Sequence, residues 1–169
     1  MKKYLLMLLS ALAFVGCSND EEGANVIQPI KASADVEAFF TAELAKQHHF
    51  GQTPFDFPEQ EQMGIFQIRY HVVDSEEELA RVYNGETPLP AIDFATSSLI
   101  LGMVIFPNGS YLLDKVTLQE EEKLLRLNVY PVLNHDGGIA AFYGVPFWHL
   151  YPKLPTKPLV VDVVDNPKY

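Results

Sequence analysis

Residues 99–106 read Leu-Ile-Leu-Gly-Met-Val-Ile-Phe, and Pro107-Asn108-Gly109 follows at once. A run that is apolar at odd and even positions alike describes a strand covered on both faces, the centre of a sheet with something packed above and below it. Pro-Asn-Gly is turn chemistry, and it sends the chain into a second strand, Tyr111 to Leu118. Gln119 to Glu122 turns it again into Leu124 to Leu133. Asn134-His-Asp-Gly-Gly138 leads into Ile139 to Tyr151, and Leu159 to Val164 is a last strand. Short turns imply antiparallel neighbours, so this half of the chain predicts a meander.

Toward the N-terminus, Ile65 to Val73 alternates. Phe66, Ile68, Tyr70 and Val72 face one way and Gln67, Arg69 and His71 the other, the pattern of a half-buried strand. Ser75 and Glu78 form a capping box ahead of a short helix with Leu79, Val82 and Tyr83 on one stripe, and Gly85 is placed to end it. His48 to Met63 reads as a loop holding Pro54, Pro58, Phe50, Phe55 and Phe57, long enough to suggest function. Before it, Ser33 or Asp35 can cap a helix whose Val36, Phe39, Phe40 and Leu44 recur at helical spacing. The expectation is a single α+β domain over residues 33–169: one antiparallel meander sheet of about 5–6 strands carrying one or two packed helices.

The first sixteen residues have another purpose. Lys2 and Lys3 precede an apolar run from Tyr4 to Val15 that contains no acid and is too short to span a bilayer, which takes roughly 20 residues. That is the form of an export signal. Its end, Phe14-Val15-Gly16-Cys17, resembles a lipobox, with small residues ahead of the cysteine that receives lipid. Phe14 stands where leucine is usual, and Cys17 is the only cysteine of the chain. Residues 1–16 are therefore expected to be removed, leaving Cys17 lipidated and residues 17–32 as a flexible tether. One acyl chain anchors only marginally and two or more anchor stably, so the expected product is held to a membrane without spanning it. Ser18-Asn19-Asp20-Glu21-Glu22 argues against inner-membrane retention. It also resembles the tag that sends lipoproteins to the outer face of the outer membrane; the periplasmic face is the alternative.

The net charge is −10, and removing residues 1–16 takes away two lysines and no acid, which leaves −12 with histidine neutral. A polyanion is a poor partner for phosphate backbones, so nucleic acid is not expected. Once Cys17 carries lipid no thiol remains for disulfides, thiolate metal sites or nucleophilic catalysis, and the core alone must hold the fold.

Ala91 to about Pro155 resembles the C-terminal domain of the PrcB-like protease-complex stability proteins. The resemblance is carried by Ile92-Asp93-Phe94, Leu99-Ile100-Leu101-Gly102, Asn108-Gly109-Ser110-Tyr111 and Pro146-Phe147-Trp148-His149. The hairpin turn departs from the pattern, with one glycine where the family tends to have two. No active-site residues come with this resemblance; it implies an exported partner-binding or stabilising role.

The residues themselves supply no competing catalytic constellation. The five histidines (His48, His49, His71, His135, His149) lack metal-site spacing and read as surface histidines, with no metal or cofactor expected. Ser97-Ser98 follow Asp93 without a nucleophile elbow. Glu120 to Glu122 read as solvated acids of a hairpin tip, and His135-Asp136-Gly137-Gly138 as a turn. The aromatics stand out more. Phe142, Tyr143, Phe147, Trp148 and Tyr151 crowd one segment, and Phe55 and Phe57 lie in the loop. Alternation puts Phe147, His149 and Tyr151 opposite Trp148 and Leu150, so one face is core and the other is either an exposed platform or covered by a second layer. The expected function is non-enzymatic: an accessory subunit that docks or stabilises another exported protein. The alternative is a glycan- or peptide-binding lipoprotein of an outer-membrane uptake system.

Overall fold

The structure, a computed structural model, describes residues 25–46, 53–134 and 141–164. The expected signal, Cys17, His48, His49, Phe50 and the His135–Gly138 turn lie outside them. The class is α+β, as the patterning implies, but the strands divide between two sheets. The elements are β1 (Asn25–Ile27), α1 (Ala34–Ala45), β2 (Glu59–Met63), β3 (Phe66–Val73), α2 (Glu76–Val82), β4 (Ser97–Phe106), β5 (Tyr111–Glu120), β6 (Leu125–Leu133), β7 (Tyr143–Pro152) and β8 (Leu159–Val163). One sheet has the order β2-β3-β4-β7 and the other β1-β5-β6-β8.

The apolar run is the reason. Every residue of β4 except Ile105 is buried, and full burial of one such aliphatic side chain contributes roughly 1.5–3 kcal/mol. Its helix-side residues Leu99 and Leu101 meet Val36, Phe39 and Phe40 of α1, Leu79 and Val82 of α2, and Leu150 in a first core. Ile100, Val104 and Phe106 meet Leu118, Leu125, Leu127, Val129 and Val161 of the other sheet in a second core. The layers are therefore helices, sheet, sheet.

Four expectations change with this arrangement. The Pro107–Ser110 turn joins strands of different sheets, because β4 already has β3 on one edge and β7 on the other and leaves β5 no place beside it. β8 runs parallel to β6, since the intervening β7 returns through the other sheet. Part of the expected loop is strand β2, an antiparallel neighbour of β3 turning at Gly64-Ile65. Gly64 has φ 62°, the positive value a two-residue hairpin of this kind requires at its first loop position. Likewise, part of the expected tether, Asn25–Ile27, is strand β1 on the edge of β5.

The helix signals hold locally. Ser33 accepts from the Val36 amide, and Ser75 accepts from the Glu78 amide at 3.1 Å while Glu78 reaches back to the Asp74 amide at 2.9 Å. Gly85, by contrast, does not terminate α2. Tyr83 ends it by turning extended (φ −95°, ψ 120°) to bridge with Phe55. Gly85 instead makes room for the Tyr83 ring, whose hydroxyl would lie 2.2 Å from an added Cβ.

Candidate functional site

The sheets approach each other at their edges, β2 beside β8 and β7 beside β5. The Tyr143 hydroxyl closes the second seam by donating to the Tyr111 carbonyl. The first seam stays open as a cleft of about 300 Å³. Val72, Leu125, Leu154 and Leu159 form its apolar walls, and Glu59, Asp74, Thr156 and Lys157 give it a polar rim. Tyr70 also lines it, directly across the ladder from Glu59.

Each rim group is held by local chemistry. The Glu59 carboxylate accepts a hydrogen bond from His71 Nδ1 at 2.8 Å, while His71 Nε2 is buried without a hydrogen bond, 3.8 Å from Glu78 Oε1. Asp74 Oδ1 accepts from Ser98 Oγ at 2.5 Å and from Lys153 Nζ at 3.0 Å. Ser98 Oγ in turn accepts from the Leu154 amide at 3.0 Å, which fixes the segment leaving β7. Lys157 Nζ donates to Glu120 Oε1 at 2.7 Å and to the Glu121 carbonyl at 2.8 Å. Tyr70 differs from its neighbours: it is only 5% exposed, yet its hydroxyl has no hydrogen-bond partner among the described residues. Burial pushes its pKa up, and the nearby Glu61 and Glu59 carboxylates push it further, so the hydroxyl keeps its proton.

A second polar cluster joins α1 to the segment after α2. The buried Glu43 carboxylate accepts from Lys46 and from Thr87 Oγ1, each at 2.5 Å. Burial alone would raise the Glu43 pKa. The Lys46, Thr87 and Tyr83 hydrogen bonds outweigh that and hold it below the usual value. These bonds tie α1 to the segment after α2.

The aromatic residues singled out by the sequence do not form an exposed platform. Phe147 and Tyr151 are buried between the sheets. Trp148 packs under α1, stacked on Phe40 with centroids 4.8 Å apart, and Phe55 is buried in the same core with Phe57 against it. Tyr143 is half-buried in the seam. Alternation along β7 is as the sequence suggests, but each face has a layer over it, so these residues are core rather than surface. Phe142, 65% exposed, is the exception. It lies at one end of the sandwich with Ile65, Leu112 and Leu133, all exposed.

Other groups also move from their expected settings. His71 is buried, because α2 and the β2 edge cover the face that alternation assigns to solvent. Glu120 and Glu121 are engaged by Lys157 and Arg126 instead of being merely solvated. Ser97 and Ser98 are buried linkers; Ser97 Oγ donates to the Asp93 carbonyl at 2.6 Å. Sequence reasoning missed Glu59, Tyr70, His71, Asp74 and Lys157 as a group. They come from β2, β3 and the segments after β3 and β7; the β2–β3 hairpin brings the first four near one another, but Lys157 joins them only through the β2–β8 seam. Among the described residues, no group of three or more His, Cys, Asp and Glu side chains is placed to hold a metal ion. No family model, curated protein or solved structure matches the chain.

Proposed function

We propose that this protein is an exported lipoprotein, cut before Cys17 and anchored by lipid there, whose domain docks or stabilises another exported protein. The observation that carries the docking reading is the gathering of Ile65, Leu112, Leu133 and Phe142 at one end of the sandwich. That end is opposite to the one where the chain enters. Asn25 pairs with Glu120, at the far end of β5 from Tyr111. A ten-residue strand spans about 33 Å. Lipid at Cys17 would hold the Asn25 end within about 28 Å of the membrane and present the apolar end outward. Exposed apolar residues gathered together are costly to leave in water and are a common mark of a protein interface. The lipobox-like Phe14–Cys17 and the PrcB-like pieces support the same reading, and so does the tag-like Ser18–Glu22 for the outer face of the outer membrane. No described helix is long and apolar enough to cross a membrane.

The test is protease treatment of intact cells, with crosslinking and mass spectrometry of what the domain touches. Removal of the domain by external protease and crosslinks through the Ile65–Phe142 end to one exported protein are expected. A protected domain with no crosslinks there would overturn the reading. The second reading, a ligand-binding lipoprotein of an uptake system, is favoured by the cleft at the β2–β8 seam.

A further inference from the structure

We propose that the β2–β8 cleft binds a basic side chain, the guanidinium or ammonium of an arginine or lysine presented by a polypeptide. The inference deepens the second reading, that of a peptide-binding lipoprotein, and rests on it for the polypeptide source, while the chemistry stands on the cleft itself.

The cleft has two parts that correspond to the two parts of such a side chain. Val72, Leu125, Leu154 and Leu159 offer apolar wall to a methylene stem, which long basic side chains bury readily while the charged head finds polar company. The head would meet Glu59, Asp74 and the Tyr70 hydroxyl. Existing pairs leave a surplus of negative charge there. Lys157 is matched by Glu120 and Lys153 by Asp74, so among the described residues Glu59 has no lysine or arginine partner and only His71 Nδ1 as donor. Glu61 adds to the same field at Tyr70. Tyr70 is buried as a residue but lines the cleft, and its hydroxyl, without a hydrogen-bond partner among the described residues, is not sealed off there and stays open to a ligand. Tyr70 can accept from an N–H donor on one lone pair and donate its own proton to a neighbouring carboxylate. The overall charge of the chain also favours a cationic ligand.

Neither a metal ion nor an anion suits the cleft as well. The rim lacks a converging metal-ligand set among the described residues, and its lysines are already paired. Glycan hydroxyls could use the rim, but the aromatic faces that would stack on a sugar ring lie in the cores.

The experiment is a nuclear magnetic resonance titration of the ¹⁵N-labelled full chain in detergent. The probes are acetyl-Gly-Arg-Gly-amide, the same peptide with citrulline or glutamate in place of arginine, and free arginine. The arginine peptide should shift amides of Tyr70, Val72, Leu125, Thr156 and Lys157, and the citrulline and glutamate peptides should not. Glu59→Gln and Tyr70→Phe should each weaken binding about tenfold or more while amides remote from the cleft keep their positions. If Tyr70→Phe fails to fold, Glu59→Gln, at the exposed rim, decides. Equal shifts from the citrulline peptide, or none from arginine, would overturn the proposal. Binding of free arginine without the peptide would overturn its polypeptide source. Because the probes are synthetic, none of these outcomes depends on the docking partner, so this proposal and the docking reading fail separately.

Discussion

At the scale of single residues, Gly102 shows how tightly neighbouring strands of one sheet pack. It lies opposite Phe147 in the β4–β7 ladder, and an added Cβ would stand 2.4 Å from Phe147 Cζ and 2.7 Å from the Arg69 carbonyl oxygen. The ring could shift, but the carbonyl belongs to a paired strand. Gly102→Ala should therefore cost about 1–3 kcal/mol in urea denaturation, the usual range for overpacking. Titration acts at the same scale. Burial holds the His149 pKa below its ordinary 6.5, so the unfolded chain binds that proton more readily and stability should fall as pH drops below 6.5. Glu43 is also held low; its contribution is present above 4.5 and lost as pH falls through its lower folded value. Acid unfolding curves should thus show two windows. His149→Gln should flatten the first and Glu43→Gln the second. Unchanged slopes in both variants would show that other groups govern acid stability.

Elements depend on signals that are partly local. The α2 helix has only seven residues and is held by the Ser75–Glu78 box. Ser75→Ala should destabilise the domain by about 0.5–2 kcal/mol in thermal or urea unfolding. The box was legible because capping is a four-residue pattern. The covering of β3 by α2 was not, because it depends on where the helix lands, and His71 is buried for that reason. The α1 helix was legible from Val36, Phe39, Phe40 and Leu44, but its landing place on Trp148 was not. Phe40→Ala should cost about 3–5 kcal/mol and shift the emission of Trp148, the single tryptophan, to longer wavelength as water reaches the indole. An unshifted emission would mean that the stack does not shield Trp148.

For the whole molecule, the two ends of the sandwich are chemically different. The end reached from Asn25 has the polar cleft and the ion pairs of Glu120 and Glu121 beside the exposed Val26, Ile30 and Val160, and the other has the larger exposed group of Ile65, Leu112, Leu133 and Phe142. Replacing Ile65 and Phe142 together by glutamate should change folding stability by less than about 1 kcal/mol, since exposed side chains contribute little to the core. The same change should abolish crosslinks to an exported partner. Retained crosslinks would place the interface elsewhere on the domain.

The sequence by itself determined the α+β class, both helix starts, most of the strands and the covering of Leu99–Phe106 on both sides. These follow from periodicity, caps and turn residues, which act over a few positions of the chain. Only the tertiary structure decided that the meander divides into two sheets, that β8 runs parallel to β6, and that the aromatic strand is core on both faces. It also decided which side chains share a cleft. Strand pairing and layering depend on which apolar faces remain uncovered once the nearer neighbours are placed. Lys157 is far in sequence from Glu59, Tyr70 and Asp74, and it meets them only because β2 and β8 lie on the same seam.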